Sequence, residues 1–504
     1  MICKVLIDGP SIARWQLDCI ELLRAANDLE IRLLGENRRH DARALAKRLL
    51  GGPALRSAPV SADRNTSGEC DIVLDLRTNA GSDPPDVGRA AYWFFCNGDG
   101  RALGELPGAR EIAGGSPTFT LELRTYRTGE GFTALRSGTF KSLYSYARSM
   151  EIALEECKRW PALALEVGAV LGRLPGRRRT PPRDEASRPL LARLALRLAA
   201  GFLSHAFVHL FYDARWSVGL IHGAPGNFLA KNYRPQIQWL RDRSAEFLAD
   251  PFVFRLPDSR YVMCERLDGA TRTGFISCLE IEDGGKVLEE RAVIRSASHL
   301  SYPYVFEHDG TWYMVPESAE DRCVALYRGV EPPYRWERVA TLIEGIATCD
   351  NTIVRHNGLW WLFCTHKARD SSLNLFLYHA PDLLGPWQPH VANPVKTDVR
   401  SCRPAGMPFL SHGELYRPAQ DCARTYGDAI TFNRVTALTE HEFSEEFVST
   451  FHRDITTKAS HGAHTISYSD GIMAIDSKTV VFASPKVIRR RLGKLATRIV
   501  CPAT

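Results

Sequence analysis

No two of the 13 cysteines form a C-x-x-C pair, and their number is odd. Neither a disulfide framework nor a zinc site is expected, and the thiols read as reduced and mostly buried. Charge of one sign is also lacking: 64 Lys and Arg against 58 Asp and Glu leave +6. That is too little for a dedicated nucleic-acid binder. No run approaches the roughly 20 consecutive apolar residues of a spanning helix, and Met1-Ile2-Cys3-Lys4 lacks the apolar core of a signal peptide. A cytoplasmic protein is the expectation. What is present is ordinary globular usage, 44% hydrophobic and 24% charged over 504 residues, enough for two or three packed domains.

A short apolar strand, Val5–Ile7, precedes helical spacing from Ser11 to Glu30, carried by Leu17, Ile20, Leu23 and Leu33. A helical run near 42–50 and strands Asp71–Leu76 and Ala91–Cys96 follow. This alternation predicts a parallel sheet with right-handed crossovers. Asp8-Gly9-Pro10 lacks the glycine spacing of a phosphate-cradling loop, so no nucleotide is expected there. The segments Phe94-Phe95-Cys96-Asn97-Gly98-Asp99, Thr118–Arg124 and Leu135-Arg136-Ser137-Gly138 resemble a degenerate formyltransferase-like α/β domain, spanning 1–170. The resemblance implies that Asn97 occupies the family's asparagine position and Thr128 or Gly129 the place of its acid. No histidine lies between Asp71 and Thr139, so a scaffold or binding module is expected rather than formyl transfer.

Residues 171–247 read as a linker with connecting helices. Pro175-Gly176, an arginine run and Pro181-Pro182 mark the linker, and Leu190–Phe211 is helical, with His205 and His209 one turn apart but no third metal ligand. From 248 to 485 one pattern recurs five times: an apolar strand, a tight turn and a second strand. The turns fall at Asp258, Asp309-Gly310, Asn357-Gly358, His412-Gly413 and Asp470-Gly471, at separations of 51, 48, 55 and 58 residues. Such spacing predicts a five-bladed β-propeller. Inner strands of a propeller start around its axis, which nominates Asp250, Tyr302 or Tyr304, Asp350, Arg403 and His464 as inward residues.

Ala249-Asp250-Pro251-Phe252 within the repeat resembles family 43 glycoside hydrolases. That resemblance implies Asp250 as general base and Asp350, in Cys349-Asp350-Asn351-Thr352, as the carboxylate that tunes it. Where the family brings its acid, this chain has Ser401-Cys402-Arg403-Pro404-Ala405-Gly406. An arginine cannot donate that proton at neutral pH, leaving Glu317 as a substitute. Tyr302-Pro303 to Glu317-Ser318, Gly358 to Phe363, Leu415 to Cys422 with Tyr426-Gly427, and Gly462 to Thr465 resemble the amino-terminal domain of plant glucosamine inositolphosphorylceramide transferases. Their separate catalytic domain has no recognisable counterpart here.

Three functions follow as expectations. The catalytic candidates are Asp250, Glu317 and Asp350, all three used by a hydrolase. The first reading is a glycosyltransferase-type enzyme using a sugar nucleotide or another phosphorylated sugar, with Asp250 as base and Arg403 or Arg417 holding the donor phosphate. In it Arg403, Arg417, Gln420, Asp421, Tyr426 and His464 bind substrate, and Trp360 or Trp361 offers an apolar face to the sugar. The second is a glycoside hydrolase or transglycosidase, and the third a non-catalytic carbohydrate-binding protein. No metal and no cofactor beyond the sugar donor are expected. The basic stretch Lys486–Arg498, within a C-terminal segment 486–504, suggests peripheral contact with an anionic membrane.

Overall fold

The computed structural model describes residues 2–7, 11–26, 30–35, 57–59, 70–77, 88–104, 106–127, 131–167, 187–231, 233–240, 247–282, 284–367, 370–452 and 462–500. The chain divides into two units, Met1–His205 and Ala206–Thr504.

In the first unit, strand Ile2–Ile7 buries Cys3, Val5 and Ile7. It pairs in parallel with Glu30–Gly35 and Ile72–Asp75, and Ala91–Asn97 continues the parallel run. Thr118–Arg127 and Gly131–Lys141 then add antiparallel strands. Ala91–Asn97 is buried throughout, the pattern of a strand covered on both faces. Phe95 meets Trp15 edge-on at 5.3 Å and Trp160 at 6.3 Å, while Phe94 packs on Phe132 at 5.8 Å.

One expectation fails here. The first helix is Arg14–Ala26, and Leu33 belongs to a strand in register with Val5, because Glu30-Ile31-Arg32-Leu33 alternates with period two. Asn97 is 3% exposed. Its Nδ2 donates to the Ala102 carbonyl at 2.8 Å and its Oδ1 accepts from the Gly108 amide at 3.0 Å. It therefore closes its own loop instead of facing a ligand. Thr128, Gly129, the run at 42–50 and the linker residues 173–184 lie outside the described residues.

The second unit is a propeller-like ring of antiparallel sheets. The first sheet is Ala249–Arg255, Arg260–Leu267, Gly274–Ile281 and Val287–Ile294; the second is Ser301–His308, Thr311–Glu317, Cys323–Glu331 and Arg335–Glu344. Phe409–Ser411, Glu414–Asp421, Ala429–Leu438 and Phe443–His452 form another. The closing sheet joins Ile466–Ser469 and Ile472–Phe482 to Tyr212–His222 and Gln238–Trp239. These last two strands were expected in the connecting segment. Strand Tyr212–His222 pairs along its whole length with Ile472–Phe482, so the ring begins well before residue 248.

Among the described residues, four complete four-stranded sheets stand where five blades were expected. The third repeat supplies Thr348–His356, Leu359–His366 and Asn374–Ala380, but the last of these pairs with both the two-residue Gln388–Pro389 and Lys396–Asp398. Pro386, Pro389 and Pro394 withhold the amide donors that a longer fourth strand needs.

Four turns are as the sequence requires. Asp309, Asn357, His412 and Asp470 and the glycines after them all have positive φ, as a two-residue type I′ hairpin demands. The inner strands touch in succession around the ring. The Val253 amide donates to Ser467 Oγ at 2.9 Å, the Tyr302 amide to Asp250 at 3.2 Å, and the Tyr304 hydroxyl to the Ile353 carbonyl at 2.6 Å. The Gly406 amide donates to the Tyr302 hydroxyl at 2.6 Å, and the Ile466 amide to the Ala405 carbonyl at 2.9 Å.

Apolar clusters fill the spaces between successive sheets. Trp360 packs in the cluster with Phe306 and Ile353, and Trp361 in the next one with Leu415 and Phe443. Both tryptophans are core, at 5% and 1% exposure, so neither can face a sugar. The twelve described cysteines are free and eleven are buried; burial pushes the Cys402 thiol up to about 12. The helix expected at Leu190–Phe211 is Arg188–Phe211, and it is the one helix among the described residues long and apolar enough to cross a membrane by length and composition, which was not expected. Arg193 and Arg197 interrupt its apolar run.

Candidate active site

Three of the inner strands break their ladder at the same place. Register shifts lie between Ala249 and Phe252, Ser301 and Tyr304, and Cys349 and Thr352. The bulged residues Asp250, Tyr302 and Asp350 have φ of 52°, 45° and 53°. Left-handed backbone at a non-glycine residue must be held by its surroundings. Here each bulged amide donates to a carboxylate: Asp250 to Asp476 at 3.1 Å, Tyr302 to Asp250 at 3.2 Å, and Asp350 to Glu317 at 3.0 Å.

The carboxylates do further work. Asp250 Oδ1 accepts from the Thr465 hydroxyl at 2.7 Å and lies 3.5 Å from His464 Nε2, whose Nδ1 is 2.5 Å from Asp476. Asp476 also accepts from the His464 and Thr465 amides at 2.9 and 3.1 Å. Asp350 receives Arg403 through Nε at 2.6 Å and Nη2 at 3.1 Å, and Gln420 Nε2 at 2.6 Å. Arg403 Nη1 donates to Ser371 at 2.8 Å, and Nη2 is 3.7 Å from Glu317.

These groups are buried, and burial governs their protonation. It raises the Asp250 pKa against the opposing charge of His464. It pushes Asp350 up to about 7, with Arg403 pulling down and Glu317 pushing up. Glu265 is raised to about 7, again by burial first, while its hydrogen bond with His299 opposes the rise. For His464 burial works against the proton, but the carboxylates of Asp476 and Asp250 outweigh it and lift the pKa to about 9. Asp250, His464 and Asp476 each offer one ligand atom within 4.8 Å of the others, a set that could hold a metal ion. The imidazole between two carboxylates also satisfies them without one.

One end of the cluster reaches solvent. Tyr426 is 43% exposed; its ring lies 5.1 Å from the Arg403 guanidinium and meets His464 edge-on at 5.3 Å. Trp216 stacks on His464 at 3.9 Å, and the Lys478 ammonium lies 5.6 Å from the Trp216 ring and donates to Thr425 at 3.0 Å.

Of the residues expected from sequence, Asp250, Glu317, Asp350, Arg403, Gln420, Tyr426 and His464 come together. Arg417 does not. It is 1% exposed and pairs inside its own sheet with Glu445 at 2.6 Å and with the Ser401 carbonyl at 2.5 Å. Asp421 caps the Ala423 amide at 2.9 Å, with Asp428, Asp398 and Arg400 as its charged neighbours. Tyr302 and Tyr304 spend their hydroxyls bridging strands.

Trp216, Glu265, Asp476 and Lys478 were missed, yet a signal existed. Glu317, Thr365, Gln420 and Lys478 each stand eight residues beyond the turn positions 309, 357, 412 and 470. Glu265 is seven beyond Asp258 and pairs with Ala249 as Glu317 pairs with Ser301. Trp216 lies before the repeats and carried no such mark.

The raised His464 pKa has a measurable consequence. Its stabilising contribution is complete below the unfolded value of about 6.5 and is lost as pH rises through about 9. Denaturant unfolding of the wild type should therefore weaken by roughly 3 kcal/mol across that window relative to His464→Gln. Parallel pH profiles for the two proteins would show that the imidazole is not charged in the native state.

Comparison with known proteins bears on the second unit. Residues 240–468 match the family described as glucosamine inositolphosphorylceramide transferase 1, N-terminal. The glucosamine inositolphosphorylceramide transferase 1 of Oryza sativa subsp. japonica is 33% identical over 207 residues, 40% of this chain and 28% of that one. The Arabidopsis thaliana protein of the same name is 31% identical over 259 residues, 46% and 34% of the two chains. The match thus spans about a third of these curated relatives. Among solved structures, a family 117 glycoside hydrolase from Zobellia galactanivorans is similar over 56% of this chain and 98% of its own, at 14% identity and TM-score 0.35. A GH43_1 enzyme from Xanthomonas citri is similar over 47% and 87%, at 13% identity and TM-score 0.33.

Proposed function

We propose that the second unit is a glycosyltransferase-type enzyme acting on a phosphorylated sugar donor at the Asp250–His464–Arg403 cluster. The observation that carries this reading is Asp250 itself, a buried carboxylate of raised pKa that accepts hydrogen bonds from Thr465 and Tyr302 beside His464. A base poised upward from its ordinary value suits removal of a proton from a hydroxyl. The relatives' name, glucosamine inositolphosphorylceramide transferase, supports sugar transfer.

In the proposed step the acceptor oxygen attacks the anomeric carbon and forms the new C–O bond. The bond from that carbon to the donor phosphate breaks, and its electron pair leaves with the phosphate. The acceptor proton passes to Asp250. Tyr426 offers its half-exposed ring to a pyranose, and Arg403, His464 and Lys478 set positive charge at that end. Arg403 is committed to Asp350 and Glu317, so we assign it to positioning those carboxylates as well as to the field at the phosphate.

The second reading, glycoside hydrolysis or transglycosylation, is favoured by Asp350, which burial pushes up to about 7 beside Glu317. A carboxyl protonated near neutrality can serve as general acid. A thermal-shift screen with nucleoside-diphosphate sugars in one arm and neutral oligosaccharides in the other separates the two. A ligand at 100 times its Kd stabilises by roughly 2.7 kcal/mol, so a rise in Tm of several degrees with a sugar nucleotide is expected. Stabilisation by oligosaccharides alone would replace transfer with the hydrolase reading.

A further inference from the structure

We propose that Arg424 binds the phosphate of the sugar donor, from a loop that is anchored against His464 before any ligand arrives. The inference deepens the reading of the Asp250–His464–Arg403 cluster as a donor site and rests on it.

A phosphate is held best by a cation whose N–H groups are free to turn toward it. The three cations at the exposed end of the cluster are already committed. Arg403 spends its guanidinium on Asp350 and Ser371, and the His464 ring lies between Asp476 and Asp250. Lys478 is buried and donates to Thr425 Oγ1 at 3.0 Å and to the Tyr426 carbonyl. These groups supply a positive field but no free donor fork.

Arg424 differs from them. It lies in the loop between strands Glu414–Asp421 and Ala429–Leu438, two residues before Tyr426, and Arg424, Thr425 and Tyr426 are the exposed stretch of that loop. Among the described residues its guanidinium makes no hydrogen bond and no ion pair. The acid at the base of the loop does not claim it, since Asp421 caps the Ala423 amide and has Arg400 as its cationic neighbour. Arg215 is also exposed, but it adjoins Trp216 in strand Tyr212–His222, and alternation turns it to the opposite face.

The loop that carries Arg424 is fixed at several points. The Asp428 amide donates to the Asp421 carbonyl at 3.0 Å and closes its base. Gly427 has φ of 58°, and a Cβ there would come within 2.8 Å of the His464 Cβ and 3.0 Å of Trp216. A Cβ on Gly462 would run into the Gly427 carbonyl oxygen. Two glycines thus let the backbone close on the His464–Trp216 stack, and the Lys478 ammonium ties down the two residues between Arg424 and Gly427. Burying an ammonium is costly, and here it is spent on a surface loop. Ordering such a loop in advance lowers the entropy lost when a ligand binds, which suits a segment that presents the Tyr426 ring to a sugar and Arg424 to the phosphate beside it.

The test is calorimetric titration of the full chain with inorganic pyrophosphate, uridine diphosphate and glucose 1-phosphate. Pyrophosphate probes the shared chemistry, and the other two separate a nucleotide source from a sugar phosphate. The wild type is expected to bind at least one of them, more weakly as salt rises. Arg424→Ala should weaken that binding at least 10-fold, the loss of a charge-assisted contact, at an unchanged melting temperature because the residue is exposed. Arg215→Ala should bind as the wild type does. If the wild type binds none of the three, the phosphorylated-donor reading falls and Arg424 falls with it. If the wild type binds but Arg424→Ala loses less than 10-fold, or Arg215→Ala loses as much, the cluster keeps its donor and the assignment to Arg424 alone is overturned.

Discussion

Asp250→Asn is expected to reduce sugar transfer by about 10²–10⁴-fold, the usual contribution of a positioned base, while leaving the ring of sheets folded. The fold survives because the amide can replace most of what the carboxylate does. Asp250 accepts from the Tyr302 amide through Oδ2 and from the Thr465 hydroxyl through Oδ1. The asparagine carbonyl can keep the first bond, and its NH2 can donate to Thr465, whose hydroxyl simply turns. What is lost is negative charge beside His464, so the alkaline loss attributed to that imidazole should begin at lower pH in the variant. The measurement is a rate with the donor that the thermal screen identifies, run with unfolding curves for both proteins. Transfer within 10-fold of the wild type would remove Asp250 from the role of base.

The second large effect concerns stability. Arg417→Leu should destabilise the second unit by about 3–5 kcal/mol, the cost of breaking a buried ion pair by removing one partner, or on the order of 10 °C in Tm. Arg417 and Glu445 are each only 1% exposed in their side chains, joined at 2.6 Å, with Lys396 also 2.7 Å from Glu445. Burial alone would raise the Glu445 pKa, but Arg417 and Lys396 outweigh it and hold the carboxyl at about 2. Its stabilising contribution is therefore present above the unfolded value of about 4.5 and is lost as pH falls toward 2. Arg417→Leu should reduce that acid dependence, with Lys396 still beside Glu445, and adding Glu445→Gln should recover much of the stability because the buried carboxylate is gone and the part-exposed Lys396 keeps its bond to Ser401. Binding of the sugar donor to the folded variant should match the wild type. A selective loss of donor binding at unchanged stability would return Arg417 to the substrate.

Arg403 and Arg417 show why the site was only partly legible. Both are arginines in the fourth repeat, and the sequence ranks them alike as phosphate ligands. Strand register separates them: Arg403 precedes its inner strand and reaches Asp350, whereas Arg417 lies in a second strand and turns into its sheet toward Glu445. Trp360 and Trp361 make the same point, since alternation says they face opposite ways but not that a neighbouring sheet covers both faces.

The sequence by itself determined the repeating hairpins, because Asp-Gly, Asn-Gly and His-Gly turns are local and need only the positive φ that those residues tolerate. It also nominated Asp250 and Asp350 as matching places, since each stands at the start of an inner strand, eight and seven residues ahead of the turns at Asp258 and Asn357. Only the tertiary structure decided which charges share a site. The relay from Asp476 to Asp250 and from Glu317 to Asp350 joins residues 226 and 33 positions apart, and it forms only once the ring closes. Closure itself was invisible in the repeats, because Tyr212–His222, the strand that pairs with Ile472–Phe482, lies before them. Local chemistry sets turns and strand faces; long-range pairing sets which faces meet, and no local signal carries that information.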